Sequence, residues 1–169
     1  MNLEIRTAAR SSLINHNEKR DHGDKEALNR GKIFLRDGLK KDMAFIQAKA
    51  AEWRLDDESL DHGRFIVATD DKKNIVGFGR IKRYEECYEL GTVGVAAERR
   101  GEGIGETIVR ALIERFPTRQ VWITTDLTEY FEKFGFQMRS RGPKELRDKI
   151  SNNCRVKGRR NCKMMLLRK

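Results

Sequence analysis

The sequence predicts an α+β fold: one mixed sheet, mostly antiparallel, flanked by helices. Three observations predict it. Two strand-like runs, residues 64–69 and 75–83, are joined by the polar, turn-rich Asp70-Asp71-Lys72-Lys73-Asn74, and a third run, 88–96, follows as their antiparallel continuation. A glycine-rich segment then opens an amphipathic helix over 103–115, on which Ile108, Val109, Leu112 and Ile113 share a face. After Phe116-Pro117 the chain re-enters a strand at Val121–Thr125, which a helical crossover makes parallel to the strand before it.

The remaining elements follow in order. Leu3–Thr7 alternates like a first strand, and residues 8–30 are charge-dense with few apolar anchors, the composition of a mobile segment. Ile33-Phe34-Leu35 reads as helical, as does 43–55, where Met43, Ile46, Ala50 and Trp53 share a face. Leu127, Tyr130, Phe131 and Phe134 repeat at helical spacing, and Gly135 ends that helix as a left-handed cap. A helix over 144–150 and a strand over 163–167 complete the sheet. Without repeats, low-complexity tracts or shifts of composition, residues 1–169 are expected to form a single domain.

Composition narrows the function. The chain has 36 Lys/Arg against 26 Asp/Glu, a net charge of +10, with the excess concentrated beyond residue 139. Such charge suits polyanionic small molecules as well as nucleic acid, but no nucleic-acid-binding signature accompanies it, so that partner is not expected. Cys87, Cys154 and Cys162 form an odd set without a C-x-x-C pair, which argues against a disulfide framework and for a reducing compartment. With only three histidines, no convincing metal site emerges. Neither a leader-like N-terminus nor an apolar run of the ~20 residues needed for a membrane span is visible, so a soluble cytoplasmic protein is expected.

The most informative stretch is Arg99-Arg100-Gly101-Glu102-Gly103-Ile104-Gly105, between the strand ending in Val93-Gly94-Val95 and the amphipathic helix. Glycines let a ligand approach the backbone, and the first-turn amides of the helix, without internal partners, favour an anion such as a diphosphate. The spacing is not the G-x-G-x-x-G of a first βα unit, and Gly105-Glu106-Thr107 lacks the lysine of a P-loop.

Arg100-x-x-Gly103-x-Gly105 after an apolar strand resembles the acyl-CoA-binding signature of the GNAT-type N-acetyltransferase superfamily. Ile75-Val76-Gly77-Phe78-Gly79-Arg80-Ile81 resembles that family's third strand, Val93-Gly94-Val95 the end of its fourth, and Tyr130-Phe131-Glu132-Lys133-Phe134-Gly135-Phe136 its late helix-to-strand motif. The resemblance implies the acyl-CoA N-acyltransferase fold, with the sheet splayed between its fourth and fifth strands and the pantetheine arm of acetyl-CoA between them. It further implies that Val93, Gly94 and Val95 bind the pantetheine amides. The amides of Gly101, Glu102, Gly103, Ile104, Gly105 and Glu106 would hold the diphosphate, with Arg100, and Arg99 beside it, adding charge. Glu89, at the start of the fourth strand, is the candidate general base, ahead of Glu85 and Glu86. A backbone N–H near Val93–Val95 would stabilise the oxyanion. Many members carry a tyrosine four residues before the motif glycine; here Phe131 stands there and reads as an apolar wall beside the cofactor or as core packing. Tyr130 points about 100° away and cannot simply replace it. Tyr84 and Tyr88 are alternative donors, each also readable as a packing residue.

The acceptor is less sharply defined. Ile123-Thr124-Thr125-Asp126-Leu127-Thr128-Glu129-Tyr130-Phe131 resembles the T-T-x-x-x-x-F run of amino-acid N-acetyltransferases akin to N-acetylglutamate synthase. The helical insert over 142–154 is similar to theirs, and its Arg147 and Lys149, with Arg155 beyond, would pair with an acceptor carboxylate. The expected activity is transfer of acetyl to a small primary amine, by preference a free acidic amino acid. A protein or peptide acceptor and a non-catalytic acyl-CoA-binding module are the alternatives, and a homodimer is compatible with the resemblance.

Overall fold

The computed structural model describes residues 31–154, 158–159 and 161–169. The expected strand at Leu3–Thr7 and the segment 8–30 lie outside the described residues. Gly31–Lys169 forms one compact unit built on a seven-stranded sheet in the order β1-β2-β3-β4-β5-β7-β6. The strands are β1 (Phe34–Asp37), β2 (Phe65–Thr69), β3 (Ile75–Arg83), β4 (Tyr88–Val95), β5 (Gln120–Thr125), β6 (Gln137–Arg139) and β7 (Lys163–Arg168). The helices are α1 (Met43–Glu52), α2 (Ile104–Glu114), α3 (Thr128–Glu132) and α4 (Lys144–Lys149). Among the described residues only β4 and β5 run parallel, and the other pairings are antiparallel.

One expectation is corrected. Ile33-Phe34-Leu35 is not helical: Phe34–Asp37 is an edge strand paired with β2, Phe34 opposite Thr69. The run is too short to show a period of its own, and Leu35 packs towards the core from a strand as readily as from a helix.

Alternation along the strands divides the core. On one face Ile104, Ile108, Val109 and Leu112 of α2 pack on Ile66, Ala68, Val76, Leu90, Val121 and Ile123, joined by Phe131 and Phe136. The other face is covered in two halves. Ile46 of α1 lies with Phe65, Val67 and Phe78, whereas Leu146 of α4 lies with Cys87, Trp122, Met164 and Leu166. Between these halves runs β4.

A bulge in β4 opens that line. Phe78 pairs with Gly94 but Arg80 with Gly91, so β4 carries one residue more than β3 across this step. Thr92 there adopts φ of 51°. Towards β5, the only paired register position is Glu89 opposite Trp122. Past it the strands part, as expected between the fourth and fifth strands.

Candidate active site

The gap between β4 and β5 is a cleft of about 480 Å³. One end of it, lined by Arg100 and Gly105, lies where α2 begins. Gly101 and Gly103 have φ of 81° and 77°, and nothing lies within 4 Å of where a Cβ would sit on either. Glycine is therefore required by conformation, not by crowding. The N–H of Thr107 donates to the Gly103 carbonyl (3.0 Å) as the helix closes its first turn. The preceding amides, of Ile104, Gly105 and Glu106, face outward from the helix end. A Cβ on Gly105 would stand 3.2 Å from the Tyr130 hydroxyl, which places that hydroxyl beside the first turn.

Of the residues expected to hold the cofactor, Val93, Gly94, Val95, Arg100, Gly105 and Phe131 line this one cleft. The others, Gly101, Glu102, Gly103, Ile104 and Glu106, are not among the residues lining it. Ile104 is buried in the core beneath α2, Glu102 accepts from Arg99 Nε at 2.9 and 3.0 Å, and Glu106 pairs with Arg110 one turn on. Arg99 is thus engaged by Glu102, whereas Arg100 Nε donates to the Val95 carbonyl (3.1 Å), tying the loop to the end of β4. Phe131 is both a cleft wall and a core residue, packed edge-on against Phe136.

The other end of the cleft is ionic and buried. Glu89 is 1% exposed. Its Oε1 accepts from the N–H (3.2 Å) and the hydroxyl (2.5 Å) of Thr124, and its Oε2 from the Tyr84 hydroxyl (2.9 Å) and Lys149 Nζ (2.7 Å). The splay explains the first contact: the Thr124 amide is met by a carboxylate where a ladder carbonyl would otherwise stand. Lys149 Nζ also reaches Asp56 Oδ2 at 2.8 Å. Asp56 in turn accepts from Lys82 Nζ (3.0 Å) and lies 3.2 Å from Arg80 Nη2. Arg80, fully buried, donates from Nε to Thr92 Oγ1 (2.8 Å), and the Thr92 hydroxyl donates to the Asp56 carbonyl (2.8 Å).

These contacts fix ionisation. Burial pushes the Asp56 carboxyl up, but Lys149 and Lys82 outweigh it and hold the group well below the usual carboxylate range. Burial lowers the Lys149 ammonium, and Glu89 with Asp56 more than compensates, leaving it above the ordinary lysine value. Burial first, then the charge of Glu89, pushes the Tyr84 phenol far up. Burial also raises the Cys87 thiol to about 12, and Cys162 is buried too.

Other expected residues fall elsewhere. Glu85 and Glu86 are exposed. Tyr88 packs edge-on against Phe116, and Tyr84 donates its proton to Glu89. Arg147 is exposed on α4 and is not among the residues lining the cleft, and Arg155 lies outside the described residues. Lys149 does line the cleft, but its ammonium is held by the chain's own carboxylates. Asp56, Thr92 and Arg159 also line the cleft without having been singled out in the sequence, beside Trp53 of the 43–55 face and Thr124 of the T-T-x-x-x-x-F run. For Arg80 and Lys82 a signal existed: they continue the alternation of Phe78 on a strand buried along most of its length, so two cations had to face inward.

A model of the Acetyltransferase (GNAT) family matches residues 33–136, more than half of the chain. The chain belongs to the GNAT acetyltransferase family. Membership gives this GNAT protein its enzyme class, acyltransferase. Solved structures share its fold at low identity. N-acetylglutamate synthase from Neisseria gonorrhoeae, complexed with coenzyme A and N-acetyl-glutamate, superposes with a TM-score of 0.66 at 21% identity over 83% of this chain. The GNAT protein spans only 36% of that synthase's length. Rv2747 from Mycobacterium tuberculosis, in complex with CoA and NLQ, gives 0.65 at 20% identity, covering 80% of this chain and 99% of its own. A GNAT-family acetyltransferase from Staphylococcus aureus gives 0.61 at 15%, covering 81% and 99%. No curated protein sequence matches the chain. Among the described residues, no helix is long and apolar enough to cross a membrane.

Proposed function

We propose that this protein transfers the acetyl group of acetyl-CoA to the α-amino group of a free, acidic amino acid. One observation carries the reading: a single cleft runs from the start of α2 along the open edge of β4 to Thr124 and Lys149, and the buried carboxylate of Glu89, not itself part of the lining, is hydrogen-bonded to both. Val93–Val95 pair with the pantetheine arm, while the amides of residues 101–106 and Arg100 hold the diphosphate.

Glu89 takes the proton that the acceptor ammonium must lose, directly or through a water. The freed nitrogen attacks the thioester carbonyl carbon, and a β4 amide near Val93–Val95 donates to the oxygen that becomes anionic. Collapse of the tetrahedral adduct breaks the C–S bond and releases the thiolate, and the surplus proton left on the nitrogen passes through solvent to that thiolate, giving the amide and the thiol. Phe131 has no proton to give the departing sulfur, and a thiol with a pKa near ~8.5 leaves adequately as its anion.

Several features support an amino-acid acceptor. The Thr124-Thr125 run meets the site, since Thr124 anchors Glu89. Arg159 lines the cleft from the basic C-terminal segment, paired there with Asp126. The fold is shared with N-acetylglutamate synthase. Purified protein incubated with acetyl-CoA and a panel of amino acids, amines and peptides should release CoA fastest with L-glutamate or L-aspartate. Turnover on peptides alone would assign a protein acceptor, and acetyl-CoA binding without any turnover would assign a binding module; either overturns the reading.

A further inference from the structure

Glu89 accepts four hydrogen bonds, about the full capacity of a carboxylate. A base so saturated can take a proton only if a partner gives way. Three of the donors are the Thr124 amide and hydroxyl and the Tyr84 phenol. The fourth is the ammonium of Lys149, on a long side chain at the C-terminal end of α4. It alone has a second buried anion within reach, Asp56 Oδ2 at 2.8 Å against 2.7 Å to Glu89 Oε2.

We propose that Lys149 is a positioning residue for Glu89 and that Asp56 is its standing counter-ion, so that Glu89 can gain and lose a proton without leaving a buried charge unpaired. This rests on Glu89 being the general base. When the carboxylate is charged, Lys149 bridges both anions. When Glu89 takes the acceptor's proton it no longer attracts the ammonium, which stays paired with Asp56. Without Asp56, the same proton transfer would strand a buried ammonium with no counter-ion of its own. The other charged or titratable groups near Glu89 are Arg80 and Lys82 on β3 and Tyr84 and Cys87 in the β3–β4 connection. Arg80 and Lys82 both engage Asp56. Lys149 therefore comes from α4, Asp56 from the segment after α1 and Glu89 from β4, three parts of the chain closing on one proton-transfer point.

The two partners predict opposite signs. Lys149→Met removes the cation, which favours the protonated base and moves the acid limb of the kcat/KM–pH profile up by about 1–3 pH units. Asp56→Asn removes the competing anion and moves the limb down. Lys149→Arg, keeping the charge, restores the limb towards wild type. The profiles are measured by CoA release with acetyl-CoA and the best acceptor of the panel above, with acetyl-CoA calorimetry verifying each fold and Glu89→Gln run alongside. Should Lys149→Met fail to fold, the downward move in Asp56→Asn and the retained limb in Lys149→Arg decide. Limbs that stay fixed, or move together, overturn the proposal while Glu89→Gln remains slow. A Glu89→Gln enzyme at full rate, or no turnover with any acceptor, overturns the base assignment and this proposal with it.

Discussion

Thr92 holds φ of 51° inside a strand, a region costly for a β-branched residue. It persists because its hydroxyl is bonded twice, from Arg80 Nε and to the Asp56 carbonyl, at 2.8 Å each. Thr92→Val keeps the shape and leaves a buried guanidinium N–H without its acceptor. A loss of about 1–3 kcal/mol is expected from urea unfolding, with Thr92→Ser recovering most of it. At the other end of the cleft, Gly103 precedes α2 with φ of 77°. Gly103→Ala imposes about 1–2 kcal/mol of backbone strain on the loop. Calorimetry should show weaker acetyl-CoA binding as the amides of the first turn lose alignment.

At the scale of elements, what the sequence disclosed tracks how local the cause was. The α2 stripe, the glycines before it and the β2–β3 connector act through neighbours in the chain, and the structure has them where expected. The splay arises from a one-residue offset between β3 and β4, visible only once both strands are registered. The edge strand Phe34–Asp37 was hidden for a similar reason, since its pairing with β2 skips the whole of α1. The ionic end of the cleft was legible only in part: Arg80, Glu89, Thr124 and Lys149 were each picked out singly, but Asp56 carried no signal, and the contacts that join all five are long-range. Phe131 was readable as a wall because its helix period was clear. The α2 contact gives the prediction proper to this scale. Ile108 is fully buried in the core between helix and sheet. Ile108→Ala should cost about 2–5 kcal/mol in chemical unfolding.

For the whole molecule, the buried charges set the pH range of stability. Asp56 titrates below its ordinary value in the fold. Its contribution is present above the unfolded value of about 4 and is lost as pH falls towards the folded one. Lys149 titrates above its ordinary value. Its contribution is complete below about 10 and is lost as pH rises through the folded value. Thermal melts should give a broad plateau between these limits, falling on both sides. Asp56→Asn should flatten the acid side, and because the groups are buried the effect should change little with added salt.

The lone register pair between Glu89 and Trp122 makes the sheet two panels hinged at one point: four strands on one side, three on the other. Their hydrogen-bond ladders are joined almost nowhere else, so the crack should breathe more readily than either panel unfolds. An extended ligand lying in it would act as a suture. Deuterium exchange should then slow on adding acetyl-CoA along the β4 margin from Thr92 to Val95, while the ladders within each panel exchange as before.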